Sequence, residues 1–446
     1  MKPESTARNI LGHCIELIQT PEQADYFARA CGTHRFTWNW ALAEWNRQYA
    51  SGGKPSAIAL KKQFNAIKYQ QFPWLKDIHR DAHAQPFTHL GKAWKRFFAD
   101  VKAGKLANAP QFKRKGSCQD SFYVANDKFT IARDTIRLPL VGEVKMREAL
   151  RYAGKIMGAT VSRSGERWFV SVQVEVTDPQ FFLKRTGSGV IGVDLGLKAA
   201  ATLSTGQSVQ APKPLKASLR RLRIRSRRMS RKLQAAKVAA SKIHGPQLPG
   251  RQRLPVTNNR RKSSMTLARL HARIANVRAD FTHKLTTRLC RENQTVVIED
   301  LNVRDMLANE KLARAISDVG FGRFRAQMQY KAKRYGTDLI LADRFYPSSR
   351  LCCVCGWKNR ALTLNHREWT CNECGTHHDR DINAARNLKR LATATALPVA
   401  SHPATDDAAA GKVPVAAGKV TPVRYECGQQ DASGQEENRA KLYAHS

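Results

Sequence analysis

The sequence lacks any long apolar run and has few acidic residues. No stretch approaches the roughly 18 consecutive apolar residues that cross a bilayer, so we expect no membrane-spanning segment. No apolar run of the signal-peptide kind follows the N-terminal MKPESTAR, so we expect a cytoplasmic protein. Only 36 Asp and Glu residues oppose 76 Lys and Arg residues, which gives a formal net charge of +40. Folding does not require this excess, and its usual reason is a polyanionic partner.

The positive charge is concentrated in short segments. The run R220-R-L-R-I-R-S-R-R228 contains six arginines, and F112-K-R-K115 is a second cluster. A solvated surface would also carry basic residues, but clustering with few acids nearby favours contact with nucleic acid. The candidate contact residues are Arg220, Arg221, Arg223, Arg225, Arg227, Arg228, Lys113, Arg114, Arg269 and Arg273.

The cysteines are not spread as a disulfide framework, because five of the ten fall between Cys352 and Cys374. Their C-x₂-C-x₁₅-C-x₂-C spacing is typical of a zinc site with four thiolate ligands. Each C-x₂-C pair is expected to form a tight turn around the metal, called a knuckle. A glycine follows the second cysteine of each pair, where such a turn often needs a positive φ. The expected zinc ligands are Cys352, Cys355, Cys371 and Cys374, with Cys353, His377 and His378 as alternative partners. Four protein ligands leave no open position, so the zinc is expected to be structural.

The first 177 residues change from a helical to a strand pattern. Apolar spacing predicts helices between residues 21 and 105, with the first helix ending at Gly32. The aromatic residues of these helices are interpreted as core rather than as base-stacking platforms. Between residues 118 and 177 the alternation of apolar and polar residues predicts strands, including a hairpin with its turn at Gly165. These strands are expected to form a small antiparallel β-barrel or sheet.

In the second half of the sequence, predicted buried strands alternate with predicted helices. Strands are predicted at V190-I-G-V, T295-V-V-I and D338-L-I-L-A, and a helix from Gly322 to Tyr335. Two long basic helices, split at 244–250, lie between the first two strands. The second has an apolar face and a basic face that is expected to include Arg278. The Ala- and Pro-rich tail from about residue 397 is expected to be disordered.

Three carboxylates stand at the ends of predicted elements. Asp194 follows V190-I-G-V, Glu299 follows V296-V-I, and Asp381 opens a predicted helix. If these elements are neighbours, the carboxylates can share two Mg²⁺ ions roughly 4 Å apart, the arrangement of metal-dependent nucleases. Asp379 is the rival for the third position. Asp300 should point to the opposite face of its strand from Glu299.

The order of these motifs resembles the TnpB family of transposon-encoded RNA-guided nucleases. The resemblance covers roughly residues 186 to 394 and is looser in the N-terminal half. The matching segments are I191-G-V-D-L-G-L-K198, V297-I-E-D-L-N-V303, Y330-K-A-K-R-Y-G336, F345-Y-P-S-S-R350, the four-cysteine cluster and D379-R-D-I-N-A-A-R-N-L388.

The resemblance implies a mixed α/β, multidomain protein with an RNase H-like (RuvC) nuclease domain. It implies that Asp194, Glu299 and Asp381 form the catalytic triad and bind Mg²⁺, with Asp381 preferred over Asp379. Its implied partners are a guide RNA from the transposon end and double- and single-stranded target DNA, with guide pairing reading the sequence. A prokaryotic, nucleoid-associated location follows.

The expected domains follow from motifs and resemblance together. They are a β-barrel (wedge-like) domain of 1–20 and 106–185, a helical recognition domain of 21–105, a nuclease domain of 186–345 and 377–395 with a basic hairpin at 213–292, a zinc ribbon of 346–376 and a tail of 396–446.

Three other functions are compatible with parts of this pattern. A guided DNA-binding regulator would not need to keep all three acids. A strand-joining transposase could use similar metal chemistry, although the ribbon placed before the third acid argues against it by resemblance. A nuclease that works without a guide is the remaining alternative.

Overall fold

The computed structural model describes residues 9–177, 185–244, 254, 256–363 and 365–394, which belong to two compact units divided at Thr177. Within these ranges no helix is long and apolar enough to cross a membrane. The predicted tail (396–446) and most of the predicted break at 244–250 lie outside the described residues.

The first unit combines an antiparallel sheet with three helices. Its elements are β1 (Ile10–Ile18), α1 (Pro21–Ala50), α2 (Ala57–Gln71), α3 (Arg80–Lys102), β2 (Ser121–Ala125), β3 (Thr130–Ala132), β4 (Thr135–Leu138), β5 (Gly142–Met146), β6 (Lys155–Ser164) and β7 (Arg167–Glu175).

The seven strands form one sheet in the order β2-β6-β7-β1-β5-β4-β3. The predicted barrel is therefore wrong for the described residues: β2 and β3 each pair with a single strand, so the ladder stays open. A helix covers the face that a closed barrel would have turned inward. The Phe27 ring of α1 lies 5.2 Å from Trp168 and 5.9 Å from Phe122, measured between centroids. The hairpin predicted at Gly165 is confirmed as β6 and β7.

Helix α1 is one helix of 30 residues that continues through Gly32, where the sequence predicted its end. It begins with a capping box, in which Thr20 and Gln23 satisfy each other's backbone N–H groups, and with Pro21 in its first turn. Its buried stripe continues from Phe27 past the glycine to Trp38. Burial of that stripe outweighs the roughly 1 kcal/mol that a glycine costs in a helix interior.

The second unit surrounds a smaller mixed sheet with helices. Its elements are β8 (Gly189–Asp194), β9 (Ala201–Leu203), β10 (Ser208–Val209), α4 (Pro214–His244), α5 (Asn258–Glu292), β11 (Asn293–Glu299), α6 (Val303–Ala308), α7 (Ala313–Val319), α8 (Phe321–Tyr335), β12 (Asp338–Ala342), β13 (Glu368–Thr370), β14 (His377–Asp379) and α9 (Arg380–Ala394).

The five-stranded sheet has the order β10-β9-β8-β11-β12. β8, β11 and β12 are parallel to one another, whereas β9 and β10 are joined by antiparallel pairing. Both faces are covered: Val296 and Ile298 pack with α5 and α8, whereas Val297 between them packs with Leu388 of α9. This alternation explains why β11 is a continuous apolar run.

Candidate active site and metal centre

Two of the three predicted acids end neighbouring parallel strands. Asp194 is the last residue of β8 and Glu299 the last residue of β11. The register pairs Val193 with Ile298, so the two carboxylates leave the sheet side by side at its carboxyl edge. The sequence predicted both strand ends, but their adjacency depends on long-range pairing.

The third acid reaches this edge because α9 packs closely on β8. A Cβ added to Gly192 would overlap the Ala385 carbonyl oxygen and lie 2.5 Å from the Lys389 nitrogen. Only a glycine lets the helix backbone approach the strand this closely. Asp381 lies in the first turn of α9, one turn before Ala385.

Asp194 is partly buried near the other two predicted acids and near the rival Asp379. Burial raises the pKa of Asp194 well above its usual value, and repulsion from Glu299 and from Asp381 raises it further. Burial also raises the pKa of Glu299, against the lowering effects of a hydrogen bond from Ser348 and of nearby Arg380. Repelling, partly desolvated carboxylates are the donor set that a hard divalent cation stabilises. Among the described residues no three acids place one carboxylate oxygen each within 4.8 Å of one another.

The rival acids have other contacts. Asp379 Oδ1 accepts a hydrogen bond from the Ile382 N–H at 2.8 Å, so this side chain caps the start of α9. Asp300 forms ion pairs with Arg325 and, at 3.5 Å, with Arg344. Asp381 retains only a long contact with Arg367, at 3.8 Å, among the ion pairs of the described residues.

The four predicted cysteines converge. The ligand sulfurs of Cys352, Cys355, Cys371 and Cys374 all lie within 4.8 Å of one another. The Cys352–Cys374 and Cys355–Cys371 pairs are 3.6 and 3.5 Å apart, and all four thiols are free. A tetrahedral ion with bonds of about 2.3 Å to sulfur needs sulfurs roughly 3.8 Å apart, so this set fits a four-coordinate metal.

Each knuckle has a glycine with positive φ, as the sequence predicted. Gly356 and Gly375 have φ of 84° and 67°, and each N–H donates to the first cysteine carbonyl of its pair at 2.9 Å. The alternative partners flank the cluster: His378 Nε2 lies 3.1 Å from Cys352 Sγ, and Cys353 Sγ lies 3.9 Å from His378 Nδ1.

The predicted nucleic-acid contacts lie on α4, on α5 and in the segment before β2. Five of the arginines on α4 are exposed, namely Arg220, Arg221, Arg223, Arg227 and Arg228, whereas Arg225 is partly buried. Arg269 and Arg273 on α5 and Arg114 before β2 are also exposed. Helix α4 contains no acid, and none of the six candidate arginines on it forms an ion pair with another described residue.

Two basic residues have local partners instead. Lys113 Nζ lies 4.3 Å from the centre of the Trp38 ring, and Lys113 is held through both backbone groups by Asn39. Arg278, predicted on the outer face of α5, is partly buried: its Nε donates to Asp318 Oδ1 at 3.0 Å. The prediction for Arg278 is wrong because α7 supplies an acid from a distant part of the sequence.

Sequence reasoning missed one residue in direct contact with the acids. Ser348 Oγ donates to Glu299 Oε1 at 2.7 Å from a buried position. The sequence signal that could have indicated Ser348 is its place in the segment F345-Y-P-S-S-R350, which matches the family but was given no role in the site.

Family models match three parts of the chain. Residues 9–54 match the model described as "Helix-turn-helix domain" of the OrfB_IS605 group, residues 171–310 its "Probable transposase" model, and residues 321–388 the model described as "Cas12f1-like, TNB domain". In this structure residues 9–54 contain β1 and the single helix α1.

Full-length relatives extend the match across the chain. InsQ of Escherichia coli K12, named as a candidate RNA-guided DNA endonuclease, is 29% identical and covers 81% of this chain and 86% of its own length. Among solved structures, CasPhi-2 (Cas12j) bound to crRNA has 12% identity and a TM-score of 0.39 over 86% of this chain and 98% of that chain, too remote to support an argument. A candidate RNA-guided DNA endonuclease of Streptomyces pristinaespiralis is 36% identical over 83% of this chain and 86% of its own. This identity over most of both sequences shows that the chain belongs to the TnpB family of transposon-encoded proteins.

Proposed function

We propose that this protein is an RNA-guided DNA endonuclease whose cutting site contains Asp194, Glu299 and Asp381. One observation carries the proposal: Asp194 and Glu299 end neighbouring parallel strands, and Asp381 lies in the first turn of the helix that packs on the first of these strands. The relatives named as candidate RNA-guided DNA endonucleases support the substrate class and the use of a guide.

The five-stranded sheet of the second unit is proposed to be an RNase H-like nuclease core. In this proposal Asp194, Glu299 and Asp381 hold Mg²⁺ through carboxylate oxygens, the ligands that hard cations prefer. Mg²⁺ bound there supplies Lewis-acid activation of water and neutralises charge on the phosphodiester. The chain's own contribution is to fix the carboxylates on two strand ends and one helix start, in a partly buried setting that strengthens their interaction with a cation.

The four cysteines are proposed to bind a structural zinc ion. Thiolates favour zinc over hard cations, and a set of four leaves no position for a substrate or water. The acids and the cysteines are therefore separate metal sites with separate roles.

The exposed arginines of α4 are proposed to contact the backbone of the guide RNA or the target DNA. Six arginines within nine residues and no acid on the helix give a strong local positive potential. The domain limits expected from the sequence remain part of this proposal, with the first unit assigned to recognition.

The test is an Asp194→Ala variant purified with its bound RNA. We expect loss of Mg²⁺-dependent DNA cutting by about 10³-fold or more, because metal activation contributes several kcal/mol to the transition state. RNA and DNA binding should be unchanged. Asp338→Ala is the matched control, since Asp338 is an exposed acid at the amino end of the parallel strand β12, whereas Asp194 lies at the carboxyl end of β8 in the same sheet.

The outcomes separate the candidate functions. Wild-type protein that carries a discrete RNA and binds complementary DNA without cutting would be a guided regulator. Wild-type protein that cuts without any bound RNA would be a guide-independent nuclease. An Asp194→Ala variant that still cuts would mean that the acidic site is wrongly assigned.

A further inference from the structure

The segment F345-Y-P-S-S-R350 connects β12 to the cysteine cluster and passes beside the acidic site. Within it, Ser348 has a side chain that points inward and is only 6% exposed. Its hydroxyl donates to Glu299 Oε1 at 2.7 Å, so one oxygen of this carboxylate already has a fixed partner.

The backbone around Ser348 is held by α9, the helix that carries Asp381. The side-chain amide of buried Asn387 donates to the carbonyl oxygens of Ser348 at 2.8 Å and Leu351 at 2.6 Å. One side chain of α9 therefore donates to two carbonyl groups of this segment, and its bond to Ser348 is buried. Leaving such groups without a partner costs about 1–3 kcal/mol each.

A second asparagine one turn earlier on the same face of α9 holds the first cysteine knuckle. Asn383 is also buried; its Oδ1 accepts from the Cys353 N–H at 2.9 Å and its Nδ2 donates to the Leu351 carbonyl at 2.7 Å. Cys353 lies between the predicted metal ligands Cys352 and Cys355. The cysteine cluster and the helix that carries Asp381 are thus joined by side-chain to backbone hydrogen bonds.

We propose that Ser348, Asn383 and Asn387 are positioning residues that join the cysteine cluster to the acidic site. Ser348 fixes the orientation of Glu299 so that one oxygen is presented to a divalent cation. Asn383 and Asn387 fix α9, and with it Asp381, against the segment that holds Ser348. This inference rests on the proposed function, because it assigns these residues to the same cation site.

The physical basis is preorganisation. A carboxylate held by a short hydrogen bond does not need to be ordered when a cation arrives, and partners of ligating carboxylates typically change metal affinity by about 10- to 100-fold. The same bonds make a folded cysteine cluster a requirement for a well-ordered acidic site, without contact between the cysteines and the cation.

The test compares Ser348→Ala with Ser349→Ala in the full chain bound to its guide RNA. Ser349 is the adjacent serine, and the contact found for it is through its backbone carbonyl, which alanine keeps. Mn²⁺ binding is followed by electron paramagnetic resonance, with Asp194→Ala reporting the Mn²⁺ that the RNA holds. The cleavage rate is measured against Mg²⁺ concentration.

For Ser348→Ala we expect Mn²⁺ affinity about 10-fold or more weaker and a similar rise in the half-saturating Mg²⁺ concentration. Zinc content, melting temperature and RNA binding should match those of Ser349→Ala. Equal Mn²⁺ affinity and equal Mg²⁺ dependence in the two serine variants would overturn the positioning role while leaving the nuclease function intact. Wild-type protein with no more bound Mn²⁺ than Asp194→Ala would instead overturn the cation site and the proposed mechanism.

A second pair of variants tests whether a loss of Mn²⁺ binding comes from a folding defect. Asn387→Leu has a similar side-chain size but no amide donor, and Arg386→Ala changes an exposed residue of the same helix. We expect Asn387→Leu to weaken Mn²⁺ binding while zinc stays bound, and Arg386→Ala to leave both unchanged. If Ser348→Ala and Asn387→Leu both lose zinc and thermal stability together with Mn²⁺, the residues are merely structural and the positioning role is refuted.

Discussion

Asp318 of α7 holds together the two long basic helices. Its Oδ1 accepts from the Leu215 N–H and from Arg278 Nε, and its Oδ2 accepts from the Lys216 N–H, all at 3.0 Å. Leu215 and Lys216 lie in the first turn of α4, where backbone N–H groups have no partner within the helix. One carboxylate therefore caps α4 and neutralises a partly buried arginine of α5.

We predict that Asp318→Ala loosens the start of α4 by about 3 kcal/mol. Breaking a buried ion pair by removing one partner costs about 3–5 kcal/mol, because the remaining charge stays desolvated. The Asp318 side chain is 5% exposed and that of Arg278 16%. The Lys284–Asp280 pair has a similar separation, 2.8 Å, but its side chains are 77% and 63% exposed. Asp280→Ala should therefore cost only about 0.3–0.5 kcal/mol.

The assay is hydrogen exchange of the full-length protein, followed by mass spectrometry of peptides from the first half of α4. A change of about 3 kcal/mol corresponds to roughly 150-fold faster exchange by local opening. Peptides from α1, in the other unit, serve as the internal reference. Replacing Arg278 as well, in Asp318→Ala/Arg278→Leu, should recover part of the loss because no unpaired charge remains. Equal, small effects of Asp318→Ala and Asp280→Ala would refute the reasoning.

Two further predictions use single positions with matched comparisons. Gly192→Ala should separate α9 from β8, lower the melting temperature and abolish cutting, since overpacking typically costs about 1–3 kcal/mol. The control is Gly189→Ala, which should be neutral because an added Cβ there meets nothing within 4 Å. A neutral Gly192→Ala would contradict the packing argument. Lys331 is buried between α5 and α8, with its ammonium donating to Thr286 and Thr287 at 2.8 Å, and burial lowers its pKa to about 8. An unfolded lysine has a pKa near 10.4, so between about pH 8 and 10 this lysine is protonated in the unfolded chain but largely neutral in the folded protein. Because the unfolded state binds more protons in this range, the free energy of unfolding should rise with pH from about 8 to about 10. Urea unfolding of wild type and Lys331→Met at both pH values measures this, and a pH-independent difference between them would rule it out.

Local sequence signals were sufficient for several elements. The cysteine spacing predicted a metal cluster, and the two glycines predicted knuckles with positive φ, because a tight turn around a ligand is decided by a few adjacent residues. The apolar runs at β8 and β11 predicted buried strands that end at Asp194 and Glu299. The nuclease role of these acids stays a prediction, as does that of Asp381.

Other features depend on partners far away in the chain, which no local pattern specifies. Gly32 is helical because the buried stripe of α1 continues past it, and whether the sheet of the first unit closes depends on pairing between strands far apart in the sequence. Arg278 turned inward because Asp318, 40 residues away, meets it. The sequence by itself determined which residues could bind metal and nucleic acid, through composition and short spacing. Only the tertiary structure decided that Ser348 donates to Glu299 and that Asn387 donates to the Ser348 carbonyl, because a buried hydrogen bond is defined by both partners and the fold alone brings them together.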